Sequence, residues 1–233
     1  MRISKAVVGH YSDRKGWTRC EQVHRKIHWH FFSCIHHRKC GSRSGSGRFC
    51  ASGHRRCIDG HGFCGGHISG AHYNPAVTLA VLLRGKCDAK DAICYWVSQV
   101  LGGFIAALAV TFLKAGEADI IEVSTLAVRD NLLKILLAEA LFTFALAFVV
   151  LNVATAKGTE GNSFYGLAIG FTMMTGTFAV GGISGGVFNP AVAVGLVSMG
   201  KLVVADIWVY LVANFGGAAI AAIVFLAVNK DGE

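Results

Sequence analysis

The chain has 233 residues, 53% of them hydrophobic and 15% charged, with 29 glycines, two prolines and a formal net charge of +8. So much apolar and so little charged sequence argues against an ordinary soluble domain and for a membrane protein. The charge sits at one end: residues 1–64 carry 13 of the 22 Lys and Arg against three acids, residues 65–233 carry nine against eleven, and the whole-chain balance therefore says nothing about partners of the hydrophobic part.

Residues 1–64 also hold six of the eight cysteines and eight of the ten histidines. Their stretches "WTRCEQVHRKIHWHFFSCIHHR" at 17–38 and "RFCASGHRRCIDGHGFCG" at 48–65 stand where two membrane spans would fit the repeat described below. At roughly 3 kcal/mol for each Arg at a helix centre, neither inserts. No apolar core follows "MRISK", so no signal peptide is expected. Three readings are open. A shifted reading frame is favoured, because apolar codons share a central T that a shift moves to codon edges. A metal site from Cys34, His36, His37, Cys40, Cys50, Cys57 and Cys64 lacks any C-x2-C pair. A basic tail for anionic lipid or nucleic acid rests on scattered charge alone. Disorder is the bland reading beneath all three, and neither a metal nor nucleic acid is expected as a partner.

Two apolar runs are too short to cross a bilayer: "PAVTLAVLLR" after Asn74, ending at Gly85, and "PAVAVGLVSM" after Asn189, ending at Gly200. Ten helical residues rise about 15 Å, half the hydrocarbon thickness. Each run has Asn as N-cap, Pro at the first helical position, where its missing N–H costs nothing, and Gly just past the end. They read as half-helices.

Four longer runs each approach the ~20 apolar residues a span requires: about 91–113, 131–153, 163–180 and 203–228. None shows the polar face of a soluble helix. The turn with Arg84, Lys86 and Lys90 is basic, and the connection from Lys114 to Asp130 holds four acids against two bases. The positive-inside rule puts the first in the cytoplasm and the second outside, with Lys157 and Lys230 inside and Lys201 a minor exception.

A shift of 115 residues without a gap superposes Asn74, Pro75, Ala76 and Val77 on Asn189, Pro190, Ala191 and Val192, and Ser69-Gly70 on Ser184-Gly185. It also superposes Asp91, Tyr95, Gly102 and Ala106-Ala107 on Asp206, Tyr210, Gly217 and Ala221-Ala222. Three spans separate the half-helices, so the two units are inverted and one half-helix enters from each side. Irregular backbone at mid-membrane must be buried in protein or line a wet cavity. Carbonyls of "GAHY" and "GGVF" would offer acceptors there and the Asn74 and Asn189 amides donors, while two positive helix ends oppose cations. The expected result is a path for small neutral hydrogen-bonding solutes.

These motifs resemble the major intrinsic protein family, the aquaporins and glycerol facilitators. "GHISGAHYNPAVTLA" is close to its first signature, "GISGGVFNPAV" is similar to its second, and "LLAEALFTFALAF" resembles its fourth span. The resemblance covers residues 65–233, expected to be the channel domain, with 1–64 a separate basic segment. It implies an all-α membrane fold of aquaporin-like inverted repeats, its first two spans lost or frame-shifted here. It further implies a homotetramer in the lipid bilayer of the plasma (inner) membrane, conducting passively with no catalytic residue and no cofactor. By the resemblance, Asn74, Pro75 and Ala76 with Asn189, Pro190 and Ala191 form the pore motifs. Glu139 is a buried acid bracing loop backbone, and His67 and His72 are structural loop histidines. The filter departs from the family pattern: Val192 replaces the Arg that water-selective members usually place after the second motif, Thr177 stands where His is common, Gly186 stands three residues before Asn189, and the fourth position belongs to the second span, which this sequence does not provide. Small uncharged replacements imply a wider filter, open to water and to glycerol, urea or ammonia. The rivals are a secondary transporter with broken helices, which requires intramembrane ionisable groups beyond Glu139, and a non-conducting truncated product with a metal- or nucleic-acid-binding N-terminal segment.

Overall fold

A computed structural model describes residues 69–113, 128 and 131–229. Residues 1–64, their Cys and His groups, His67 and most of the acidic connection lie outside the described residues, so the expectations placed on them are not addressed by the structure. The described residues form helices and connecting turns: α1 (Pro75–Leu83), α2 (Ala89–Leu113), α3 (Leu132–Thr155), α4 (Tyr165–Ser184), α5 (Pro190–Ser198) and α6 (Ile207–Val228). Short 3-10 turns at Lys157–Thr159 and Val204–Asp206 precede α4 and α6. Four of these segments are long and apolar enough to span a membrane: Ala89–Leu113, Leu132–Thr155, Tyr165–Ser184 and Val204–Val228. The expected spans match to within a few residues. The largest difference is at the end of α4, expected near 180 but running through Gly181-Gly182 to Ser184, where Gly185 at φ +85° ends it. Two glycines lower helix propensity without forbidding helix, and in a membrane the alternative of unpaired backbone is worse.

α1 and α5 are the two half-helices, nine residues each, rising about 14 Å. Their ends are built alike. Asn74 and Asn189 are extended, and each side-chain oxygen accepts the N–H of Ala76 or Ala191 at 2.9 Å. At the other end Gly85 and Gly200 turn into the left-handed region at φ +75° and +67°. Lys86 N–H then reaches Val81 O (3.1 Å) and Gly85 N–H reaches Leu82 O (2.9 Å); Lys201 to Leu196 (2.8 Å) and Gly200 to Val197 (3.0 Å) repeat the pattern. Both carbonyl ends are thus closed by a Schellman motif, which only a residue tolerant of positive φ permits at low cost.

Packing shows the inversion. Each half-helix touches the spanning helix that follows it, but packs more extensively on the spanning helix of the other repeat: α1 on α6, and α5 on α2. Small residues permit this. A Cβ on Gly103 of α2 would stand 2.6 Å from the carbonyl oxygen of Ala191 in α5. The α3–α6 pair is the most extensive helix contact, and Gly217 lies in it: a Cβ there would come within 2.3 Å of Ala140 O and 3.0 Å of Phe144 N. Outward, Ile93, Phe104, Phe112, Leu133, Phe178 and Ile223 are exposed, as a hydrocarbon environment demands. Thr111, Thr172 and Thr175 return their hydroxyls to the carbonyl four residues back, each at 2.9 Å, so these three donors are not left bare toward hydrocarbon.

Gly217→Ala should therefore force α3 and α6 apart and destabilise the protein by about 1–3 kcal/mol, the range for overpacking. Gly216→Ala, with nothing within 4 Å of its Cβ position, should leave stability unchanged or slightly raised. Thermal melting of the two variants in detergent separates them.

Candidate functional site

The N-termini of α1 and α5 meet inside the bundle, and the two asparagines cross. Asn74 Nδ2 donates to Phe188 O at 2.7 Å, and Asn189 Nδ2 donates to Tyr73 O at 3.0 Å. Each amide thus caps its own helix with its oxygen and holds the opposite loop with one N–H. An amide nitrogen carries two hydrogens, so each has a second donor beyond this bond. Two positive helix ends converge where the donors stand.

The loops that deliver the asparagines are tightly turned. Gly70, Ala71, Gly185 and Gly186 have φ of +75°, +53°, +85° and +62°, and Phe188 has φ +46°. Ala71 and Phe188 are side-chain-bearing residues in the left-handed region, which costs on the order of 1–2 kcal/mol each. Phe188 is held there from three directions. Its carbonyl takes the Asn74 amide, its N–H donates to Glu139, and its ring packs 5.5 Å from that of Phe142. Gly176 clears the space: a Cβ at that position would sit 2.7 Å from the Phe188 ring.

Glu139, the eighth of the 24 residues of α3, is 0% exposed. Its two carboxylate oxygens accept the N–H groups of Val187 (2.9 Å) and Phe188 (2.6 Å). Both bonds join α3 to the loop ahead of Asn189. Two tyrosines repeat a second device 115 residues apart: the Tyr95 hydroxyl donates to Ser69 O, and the Tyr210 hydroxyl donates to Ser184 O at 2.9 Å.

His72 is buried, its ring stacked 4.8 Å from that of Tyr95 and its carbonyl taken by the Gln99 amide. Thr177 and Gly186 are brought together: a Cβ on Gly186 would stand 3.3 Å from Thr177 Cα and 3.5 Å from its Oγ1. The Thr177 hydroxyl donates down its own helix to Met173 O at 2.9 Å. Val192 stands apart from that pair in character, 5% exposed in an apolar cluster with Val187, Ile135 and Val209. Of the loop carbonyls expected to offer acceptors, those of Ala71, His72, Tyr73 and Phe188 each accept one protein donor, and a carbonyl oxygen has a second lone pair.

Sequence reading missed the amides of Gln99 and Asn214, which the 115-residue shift superposes. Gln99 Nε2 donates to His72 O and to Thr78 Oγ1 (3.0 Å). Asn214, 0% exposed, sits beside Thr143 and Glu139. A lone amide inside an apolar span was the available signal, because burial there without a partner is costly. Trp96 was missed as well: its indole donates to Pro75 O at 3.0 Å, tying α2 to the first turn of α1.

Replacing Glu139 by Gln should leave one loop N–H facing an amide N–H. The expected loss is about 1–3 kcal/mol for the unsatisfied buried donor, with faster amide exchange at Val187 and Phe188. Thermal melting and hydrogen exchange measure the two effects.

A family model described as Major intrinsic protein matches residues 50–225, beginning inside the basic segment. The glycerol uptake facilitator protein-like 6 of Lactiplantibacillus plantarum is 37% identical over 67% of this chain and 74% of its own. Aquaporin NIP1-2 of Arabidopsis thaliana is 35% identical over 70% of this chain and 57% of its own. Aquaporin TIP1-2 of Zea mays is 35% identical over 69% and 63%. The chain thus spans less than two thirds of either plant relative. In structure, the aquaglyceroporin from Plasmodium falciparum superposes with a TM-score of 0.79 over 92% of this chain and 98% of that one. At 20% identity that likeness is one of fold.

Proposed function

The chain belongs to the major intrinsic protein family, and from that footing we propose that residues 65–233 form a passive transmembrane channel for water and small neutral solutes such as glycerol, urea and ammonia. The crossed asparagines carry the reading. They present amide donors where two helix N-termini converge, a placement that suits a solute able to accept hydrogen bonds and opposes a cation. In this reading Asn74, Pro75, Ala76, Asn189, Pro190 and Ala191 line the waist, Glu139 and His72 support the loops, with His67 assigned the same role, and Thr177, Gly186 and Val192 set the outer constriction. Four copies assemble in the plasma membrane, and neither a cofactor nor a catalytic group takes part. A coupled transporter is disfavoured because Glu139, the acid deep in a described span, is committed to two backbone N–H groups.

Reconstituted with two apolar spans ahead of Gly65, the protein should shrink under an osmotic gradient faster than protein-free liposomes measured by stopped-flow light scattering. The 233-residue chain as it stands should conduct less, because the stretches at 17–38 and 48–65 carry charges that oppose insertion. Equal shrinkage with and without protein rejects the channel.

Val192→Arg should restrict the constriction to water. A barrier rise of ~1.4 kcal/mol for the larger solute lowers its flux about tenfold. Unchanged glycerol and urea flux at retained water flux refutes the assignment of Val192.

A further inference from the structure

We infer that Asn214 is a positioning residue for the second half-helix, coupling the Asn189 backbone to the Glu139 brace; the inference rests on the channel reading and extends it to a residue outside both motifs. With its side-chain oxygen toward the Asn189 N–H (3.0 Å), the Asn214 amide nitrogen reaches Thr143 Oγ1 at 3.0 Å and Glu139 Oε2 at 3.1 Å. The reverse orientation would set oxygen against carboxylate and nitrogen against N–H, so electrostatics fixes the amide this way.

The consequence is a closed chain of donors and acceptors. Three successive N–H groups of the second loop, at Val187, Phe188 and Asn189, are anchored. The first two go to Glu139 directly, and the third goes to Asn214, which is itself bonded to Glu139. α3, α6 and the loop share this one network, and Glu139, Thr143 and Asn214 are all 0% exposed. In the first repeat the superposed amide, Gln99, is one methylene longer and does a different task, donating to the His72 carbonyl and to Thr78. The two superposed amides therefore act in opposite senses: Gln99 donates to a carbonyl of the first loop, and Asn214 accepts an N–H of the second. Asn189 owes its direction to that network, because its backbone N–H and its side chain leave the same residue.

The test is residue-resolved hydrogen exchange on the full chain in lipid nanodiscs. Asn214→Leu keeps the branched shape and the number of side-chain heavy atoms and removes both donor and acceptor. Exchange at Val187, Phe188 and Asn189 should rise at least tenfold, while the N–H of Ala76, bonded to Asn74, stays as slow as before. A general loss of structure would raise both. Thr143→Val, which removes only the hydroxyl beside the Asn214 amide, should shift the same three amides by a smaller factor, and Ile220→Leu, exposed on α6 with Asn214, should shift none. Unchanged protection at 187–189 in Asn214→Leu overturns the inference, as does a wild-type chain unprotected at Asn189. Water flux is read in parallel in liposomes, on the same variants carrying two apolar spans ahead of Gly65. If that version without the substitutions conducts nothing, the channel reading fails, and the exchange result still decides the role of Asn214.

Discussion

The structure depends on a pair of hydrogen bonds made across more than 110 residues, from Asn74 to the Phe188 carbonyl and from Asn189 to the Tyr73 carbonyl. They tie the start of each half-helix to the loop that delivers the other. A helix N-terminus has four N–H groups with no partner inside the helix, and hydrocarbon has none to give. Proline at the first position removes one, the Asn oxygen accepts another, and the amide nitrogen fixes the opposing loop. The other supports, Glu139 and the tyrosines, hold in place the backbone that these bonds join.

Local strain fits the same constraint. Phe188 occupies a left-handed conformation that its side chain disfavours, and in that conformation its carbonyl faces Asn74 while its N–H faces Glu139. Gly176 and Phe142 form the seat for its ring. The cost of one awkward residue is small beside that of leaving a buried carbonyl and a carboxylate unmatched.

Much of this was legible in the sequence, for a definite reason. The half-helices announce themselves by punctuation, Asn-Pro at one end and Gly at the other, and punctuation acts locally. The spans are legible because a bilayer demands length and apolarity. Glu139 stood out as an acid in an apolar run. The tyrosines were visible as superposed residues, but their bonds to Ser69 and Ser184 were not, since both are made across 26 residues in three dimensions. Asn214 was harder still. It superposes on a Gln with a different partner set, so the repeat that revealed the motifs concealed the divergence. Val192 shows a third kind of limit: sequence gives the residue after the second motif, but its apolar neighbours Val187, Ile135 and Val209 come from the loop and two other helices.

The exchange of partners between repeats bears on how such a chain is made. α1 rests on α6, yet α1 ends at Leu83 and α6 begins at Ile207. Ribosomes add roughly 5–20 residues each second, so the 123 residues between them (84 to 206) take about 6–25 s. For that interval the first half-helix has been synthesised but the surface it packs on has not. Its own Asn cap and Schellman closure are local bonds, available at once, and they let the segment wait as a helix until the last span arrives.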